Sequence, residues 1–316
     1  MSGFRSGFAA VVGRPNVGKS TLVNRMVGAK VTITSPRPNT TRSQVRGVLD
    51  REDVQVVFVD TPGLHRPRTA LGERMNESAA SSLEDVDAVL ALVEATADIG
   101  PGDRMVLDRA IRQVHAAARA AALEAGRTGL PTLFVVVNKI DRVGRGVVAA
   151  RLAAVSAAVA SLDARIAPEG DAAELAVEYV PVSAVTGEGV DRLVDEVVRC
   201  MPEGPRYYPE GTVTDVAEAW WVADLVREEL LHRVDDELPH SIACRVTEWE
   251  WPRVRCEILV ERDSQKGIVI GKGGSVLKAV GTAVREQLPP GAYLELFVRV
   301  EKRWQQREDA LDRLGL

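Results

Sequence analysis

Cysteine is scarce in this chain: Cys200, Cys244 and Cys256 are the only three in 316 residues, and no two form a C-x-x-C pair. Odd in number and far apart, they exclude a disulfide framework and a thiolate zinc site, and they read as core thiols. Long apolar runs are missing as well. No stretch approaches the roughly 20 residues of a membrane-spanning helix, and the opening MSGFRSGFAAVVG lacks the apolar centre of a secretory signal, so a cytoplasmic location is expected. Nor is there a basic excess. Forty Lys and Arg against 45 Asp and Glu leave a net charge of -5, which confines any nucleic-acid surface to a local patch. No internal repeat at a solenoid period is present. What remains is an average globular balance, 46% hydrophobic and 27% charged, at a length that suits two domains.

The first 200 residues alternate short apolar runs with helical stretches. The expected strands are FAAVV (8–12), QVRGVL (44–49), VQVVFVD (54–60), VDAVLALV (86–93), TLFVVV (132–137) and YVPVS (179–183). The last four are almost wholly apolar, as strands covered on both faces are, which predicts a mostly parallel sheet flanked by helices. The alanine-rich stretches 110–125 and 147–162 predict long surface helices. MPEGPRYYPEG (201–211) concentrates Pro and Gly and reads as a linker, so residues 1–204 are expected to form an α/β nucleotide domain and 205–316 a second, α+β domain with its linker. In that second part the order is a helix (214–231), the strands HSIACRVTEW and RVRCEILVER, a glycine loop between helices, the strand AYLELFVRV and a short terminal helix.

GRPNVGKS (13–20) fits G-x-x-x-x-G-K-[ST], and a strand before it and a helix after it complete the setting of a phosphate-binding loop. Gly13, Asn16, Val17, Gly18, Lys19, Ser20 and Thr21 are the expected nucleotide contacts. Backbone N–H groups face the phosphates, Lys19 bridges the β- and γ-phosphates, and Ser20 ligates Mg²⁺. DTPG (60–63) ends a strand, which puts Asp60 near Mg²⁺ and the Gly63 N–H at the γ-phosphate. NKID (138–141) ends another and supplies Asn138, Lys139 and Asp141. The Asp141 carboxylate can accept the N1–H and the N2 amine of guanine, a pair adenine does not offer, so GTP and GDP are the expected ligands. Ser183 and Ala184 close the base pocket with a backbone N–H. Each motif alone is weak; four in order at strand ends define a GTP-binding protein.

The polar loop TSPRPNTTRSQ (34–44) carries Thr40 and Thr41. One of them contacts Mg²⁺ and the γ-phosphate in the GTP state and lets go after hydrolysis; Thr41 is preferred, with Thr40 the alternative. The expected catalytic set is then Lys19, Thr41 and Gly63, and the metal set Ser20, Thr41 and Asp60. Leu64, which follows DTPG, has no group to orient water, so unassisted hydrolysis is expected to be slow. Asn16 has two readings: it holds a K⁺ ion that acts where an arginine finger would, or it only stabilises the turn. His65 is read as a solvent-exposed side chain before it is read as a base.

GIVIGKGGSV (267–276) puts a second lysine among glycines. Only three residues separate Gly267 from Gly271, and Lys272 is followed by Gly273 where a phosphate loop has a hydroxyl, so this is no second nucleotide site. What remains is G-x-x-G (Gly271, Lys272, Gly273, Gly274) between an apolar turn GIVI and an amphipathic helix, in a helix-strand-strand-helix-helix-strand order. That is the setting of a KH domain, whose glycine loop lets an RNA backbone approach closely. Lys266, Lys272 and Lys278 would face phosphates, and Ile268, Val269 and Ile270 would form an apolar floor. The alternative is a small packing domain whose lysines are simply solvated.

Taken together, GRPNVGKST, TTR, DTPGLH, NKID, SA and VERDSQKGIVIGKGGSVLK resemble the Era family of bacterial GTPases over nearly the whole chain. The resemblance implies a Ras-like P-loop GTPase domain followed by a type II KH domain, GTP hydrolysis, binding of the 3′ end of 16S rRNA, a role in maturing the 30S ribosomal subunit, and peripheral association with the inner face of the cell membrane. A monomer is expected. The alanine-rich stretches 110–130 and 143–178 are longer than the family usually carries, and DVAEAWWVADLVREELL is an unusual first helix for the RNA domain, with Trp220 and Trp221 read as core or interface. Two competing readings are a signalling switch whose second domain binds protein or lipid, and an RNA-binding scaffold that has lost hydrolysis.

Overall fold

β1 (Arg5–Gly13) lies at the centre of a six-stranded sheet with the order β2-β3-β1-β4-β5-β6, where β2 is Val45–Asp50, β3 Val54–Asp60, β4 Ala88–Glu94, β5 Thr132–Asn138 and β6 Val177–Pro181. This computed structural model describes residues 3–64, 67, 69–123, 131–166, 175–234 and 238–316. Every pairing in the sheet is parallel except the hairpin of β2 on β3. The parallel strands are apolar on both faces because helices cover both. α1 (Lys19–Val27) and α5 (Val190–Cys200) cover one face, closing a core around Phe58, Leu90, Phe134 and Leu193. α3 (Pro101–Leu123) and α4 (Arg145–Ile166) cover the other, around Val89, Leu107, Ile111 and Val135. The chain enters β1 and then leaves to β3 on one side and β4 on the other, so a crevice opens at the carboxyl ends of these strands, where α/β sheets bind ligands.

The alanine-rich stretches are the helices α3 and α4, as expected. By length and composition α4 would suffice to cross a membrane, as would Asp263–Arg285 taken as one piece. α4 nevertheless lays Val155, Ala158, Val159 and Leu162 into the core and carries Arg145, Arg151, Asp163 and Arg165, the pattern of a surface helix. The second piece is interrupted at Gly271–Gly274.

Two compact units divide the chain. The first takes in Met1–Thr32, Thr41–Arg66 and Met75–Asp215; the second takes in Ile33–Thr40, Pro67–Arg74 and Val216–Leu316. α2 (Ala70–Ser81) therefore begins in the second unit and ends in the first. The Pro/Gly stretch after α5 is strapped to the first unit. Gln55 Oε1 accepts the N–H groups of Tyr207 and Tyr208 at 2.8 and 2.9 Å, and Arg206 pairs with Asp50. Thr214, expected in a helix, instead makes a β-bridge to Gly47.

The second unit runs α6 (Glu218–Arg233), α7 (Leu238–Ser241), β7 (Ala243–Glu250), β8 (Arg253–Val260), α8 (Asp263–Ile270), α9 (Ser275–Arg285), β9 (Tyr293–Val300) and α10 (Glu308–Leu314). β8 is the middle strand, antiparallel to β7 and parallel to β9. Val226, Leu230, Ile258, Val269, Val280 and Val284 form its core. Each such side chain taken out of water stabilises by roughly 1.5–3 kcal/mol. Trp304 is fully buried and donates its indole N–H to the Ser241 carbonyl at 2.9 Å. GIVI, expected as an apolar turn, is the last turn of α8.

Candidate functional site

The loop between β1 and α1 turns on two residues with positive φ, Asn16 (63°) and Gly18 (99°). Lys19 follows as the first residue of α1 and is 6% exposed. Its ammonium donates to the carbonyls of Gly13 at 3.3 Å and Arg14 at 3.2 Å. Burial pushes its pKa down to about 8, against the pull of the Asp60 carboxylate.

Asp60 ends β3 fully buried. Its Oδ2 accepts the hydroxyls of Ser20 (2.7 Å), Thr32 (3.0 Å) and Thr41 (3.2 Å), and the Ser20 and Thr41 hydroxyls lie 2.9 Å apart. Burial lifts the Asp60 carboxyl above the usual carboxylate range, against the charge of Lys19 and the three hydroxyls. Asp60 Oδ1 is buried and has no hydrogen-bond partner among the described residues. A buried carboxylate with a spare oxygen, ringed by hydroxyls, is the all-oxygen donor set that suits Mg²⁺. Thr40 turns away from this cluster, its hydroxyl bonded to Ser35 Oγ at 2.9 Å and the Arg37 carbonyl at 2.8 Å. The geometry therefore brings Thr41, not Thr40, to Asp60. Thr32 was not legible as part of the cluster, because it stands in none of the motifs.

Gly63 packs on the loop so closely that a Cβ there would lie 2.7 Å from Pro15 N, and the Leu64 N–H reaches the Gly13 carbonyl at 3.3 Å. Leu64 itself is 4% exposed and belongs to the core. His65 lies outside the described residues.

On the base side, Asn138 ends β5. Its amide donates to the Val17 carbonyl (2.9 Å) and accepts the Ala184 N–H (3.0 Å), which ties three of the four motifs together. Lys139, at φ 65°, donates to the Asn16 carbonyl (2.7 Å) and to Glu94 Oε2 (2.6 Å). Asp141 is exposed and accepts the Ser183 hydroxyl at 2.6 Å, which orients its carboxylate. Two supports escape sequence reading: Glu94, and Asp103, which is 1% exposed and accepts Arg14 Nε at 2.6 Å. The clue to Glu94 is a charge closing the otherwise apolar β4.

In the second unit, α8 ends at Gly271, and the turn to α9 uses positive φ at Gly271 (76°), Gly273 (62°) and Gly274 (79°). A Cβ at Gly273 or Gly274 would meet nothing within 4 Å, so the outer side of the turn is open. Lys272 and Lys278 are exposed and Lys266 is half-buried. The expected apolar floor of three needs correction. Ile268 is 55% exposed and Ile270 half-buried, but Val269 is fully buried in the core, because a helix rotates successive residues by about 100° rather than presenting a run on one face. Trp221 packs against the core, while Trp220 is 47% exposed.

A phosphate loop, a hydroxyl–carboxylate cluster and a base loop at the carboxyl edge of a Ras-like sheet define a P-loop GTPase, here followed by a KH domain. Family models agree. Residues 8–139 match "50S ribosome-binding GTPase" and residues 237–305 match "KH domain". The chain is 47% identical to GTPase Era of Mycolicibacterium paratuberculosis and 45% identical to that of Mycobacterium tuberculosis, across the full length of both chains in each case. Two solved structures each match across 99% of both chains. One is Era in complex with MgGDPNP and nucleotides 1506–1542 of 16S ribosomal RNA (TM-score 0.82, 33% identity); the other is a point variant of Aquifex aeolicus Era bound to GDP.AlF4- (TM-score 0.79, 34% identity). The chain belongs to the GTPase Era family: it is a GTP-hydrolysing enzyme with a C-terminal KH domain, and GTP, GDP and Mg²⁺ are its ligands.

Proposed function

We propose that this protein is a GTP-gated switch that holds the 3′ end of 16S rRNA and assists maturation of the 30S subunit. The observation that carries this reading is the joining, in one chain, of the Ser20–Thr41–Asp60 cluster to an open G-x-x-G turn. The RNA carried by the solved Era structure supports it.

On this reading residues 1–204 do the GTPase work and 205–316 form the linker and the RNA-binding domain. Lys19 and the N–H groups of residues 13–21 hold the β- and γ-phosphates, the Gly63 N–H meets the γ-phosphate, and Asn138, Lys139, Asp141, Ser183 and Ala184 hold guanine. Ser20, Thr41 and Asp60 would hold Mg²⁺, which neutralises phosphate charge when bound. Thr41 is the ligand that depends on nucleotide state, because it sits in the polar loop. Asn16, at the exposed outer edge of the phosphate loop, has two readings: it holds K⁺, or it stabilises the turn alone.

RNA is held at Gly271–Gly274, with Lys266, Lys272 and Lys278 at phosphates and Ile268 and Ile270 against bases. The protein works as a monomer in the cytoplasm; the membrane association implied by the family resemblance gains no further support from the described residues. Fluorescence anisotropy with a short RNA of the 16S 3′-end sequence tests the RNA reading. Gly273→Asp keeps a tolerated backbone conformation but sets a carboxylate against phosphate, and it should remove binding while leaving GDP affinity intact. Equal affinity for a scrambled RNA sinks the rRNA assignment.

A further inference from the structure

The loop between α1 and β2 divides at two peptide bonds, Thr32–Ile33 and Thr40–Thr41. Ile33–Thr40 belong to the second unit and Thr41 to the first. Ile33 is 1% exposed and lies in the same core as Val226 and Leu230 of α6. Hydrogen bonds fasten the rest of the segment, among them one from the Thr34 hydroxyl to Glu228 Oε1 at 3.4 Å. Glu228 Oε1 accepts the Thr34 N–H at 2.8 Å, Arg37 Nη2 donates to the Val234 carbonyl at 3.1 Å, and Arg227 Nη2 donates to the Thr40 carbonyl at 2.6 Å.

Arg227 and Glu228 are 5% and 3% exposed, and Arg227 also pairs with Asp224 at 2.9 Å. Ionised groups taken out of water persist only where hydrogen-bond partners meet them. Beside the Asp224 pair within α6, both side chains meet the backbone of the polar loop, Arg227 at the Thr40 carbonyl and Glu228 at the Thr34 N–H. The next residue is Thr41, whose hydroxyl stands 2.9 Å from Ser20 Oγ and 3.2 Å from Asp60 Oδ2. Consecutive Cα atoms across a trans peptide are only about 3.8 Å apart, so a shift of the Thr40 carbonyl reaches Thr41 directly.

We propose that Arg227 and Glu228 are positioning residues of the GTPase reaction. By fixing the backbone of residues 34–40 they set where the Thr41 hydroxyl stands, so a helix of the RNA-binding domain governs hydrolysis in the nucleotide domain. The inference rests on Thr41 being the state-dependent Mg²⁺ ligand.

The test compares full-length Arg227→Met, Arg37→Ala, Thr41→Ala and the Arg227→Met/Thr41→Ala double variant. Each is measured by single-turnover GTP hydrolysis and by affinity for fluorescent GDP and GDPNP. Arg227→Met is expected to slow hydrolysis by about tenfold and to weaken GDPNP several-fold with GDP affinity kept, and the double variant to be no slower than Thr41→Ala, because the two act through one group. Arg37→Ala loosens the same segment from outside the core and shifts hydrolysis in the same direction, so it decides the matter if Arg227→Met does not fold. Thr41→Ala with normal hydrolysis removes the underlying reading of Thr41. Slow Thr41→Ala beside normal Arg37→Ala and normal or unfolded Arg227→Met overturns the proposal alone.

Discussion

The side-chain amide of Asn138 occupies the space that a Cβ on Gly18 would fill. The base loop thus rests directly on the phosphate loop, and Gly18 meets two demands at once, close approach and a φ of 99°. Gly18→Ala is expected to move Asn138 off Val17 and Ala184 and to weaken both GDP and GTP at least about tenfold, since a left-handed alanine alone costs about 1–2 kcal/mol. Fluorescent-nucleotide titration reads this; unchanged GDP affinity would show that the two loops do not depend on each other.

Lys19 makes nucleotide binding pH-dependent. Its pKa in the folded, ligand-free protein is about 8, against 10.5 ordinarily. Between these values the unfolded chain binds the extra proton, so this residue makes the ligand-free protein more stable as pH rises from about 8 to 10.5, by up to roughly 1.4 kcal/mol per pH unit. Bound phosphates favour the charged ammonium, so binding takes up a proton above pH 8. GDP affinity is expected to fall as pH rises through that range, and calorimetry in buffers of different ionisation enthalpy counts the proton.

Leu64 stands where some GTPases carry a water-orienting glutamine, but its side chain belongs to the core. Leu64→Gln is expected to destabilise by about 2–4 kcal/mol and to bring no faster hydrolysis, because the amide is buried rather than aimed at a water. Thermal unfolding and single-turnover hydrolysis check both halves.

If Asn16 holds K⁺, exchanging K⁺ for Na⁺ lowers turnover by about tenfold or more, the scale of losing one charge stabiliser. Asn16→Ala abolishes the difference between the salts. Equal turnover of the unaltered protein in both salts assigns Asn16 to the turn alone.

Lys272 and Lys278 are exposed beside the open turn. Replacing each with alanine is expected to reduce the slope of log affinity against log salt by about 0.7 for single-stranded RNA. A slope unmoved in both variants would mean that the RNA backbone runs elsewhere.

The nucleotide site was legible because its chemistry sits on strand ends, and strand ends announce themselves: an apolar run stops and DTPG, NKID or SA begins. Thr41 was legible only as one of a pair. Its neighbour is ruled out by the bonds of Thr40 to Ser35 and Arg37, which depend on how the loop folds. The start of α8 was missed for a local reason. Arg262 stands at its N-cap in place of the usual Ser, Thr, Asp or Asn, and the start is held instead by Gln265 Oε1, which accepts the N–H groups of Glu261 and Arg262 at 2.9 and 3.0 Å. The grouping of Ile33–Thr40 with the second unit left no trace in the sequence, because it rests on residues about 190 positions away that look like ordinary helix charges.

The most direct test of a GTP-gated RNA switch is affinity for the 16S 3′-end RNA, measured beside a scrambled RNA with GDP and then with GDPNP. We expect preference for the 16S sequence, an affinity that differs between the two nucleotides, and loss of binding in Gly273→Asp. Equal, weak binding to both RNAs in both nucleotide states would contradict the account.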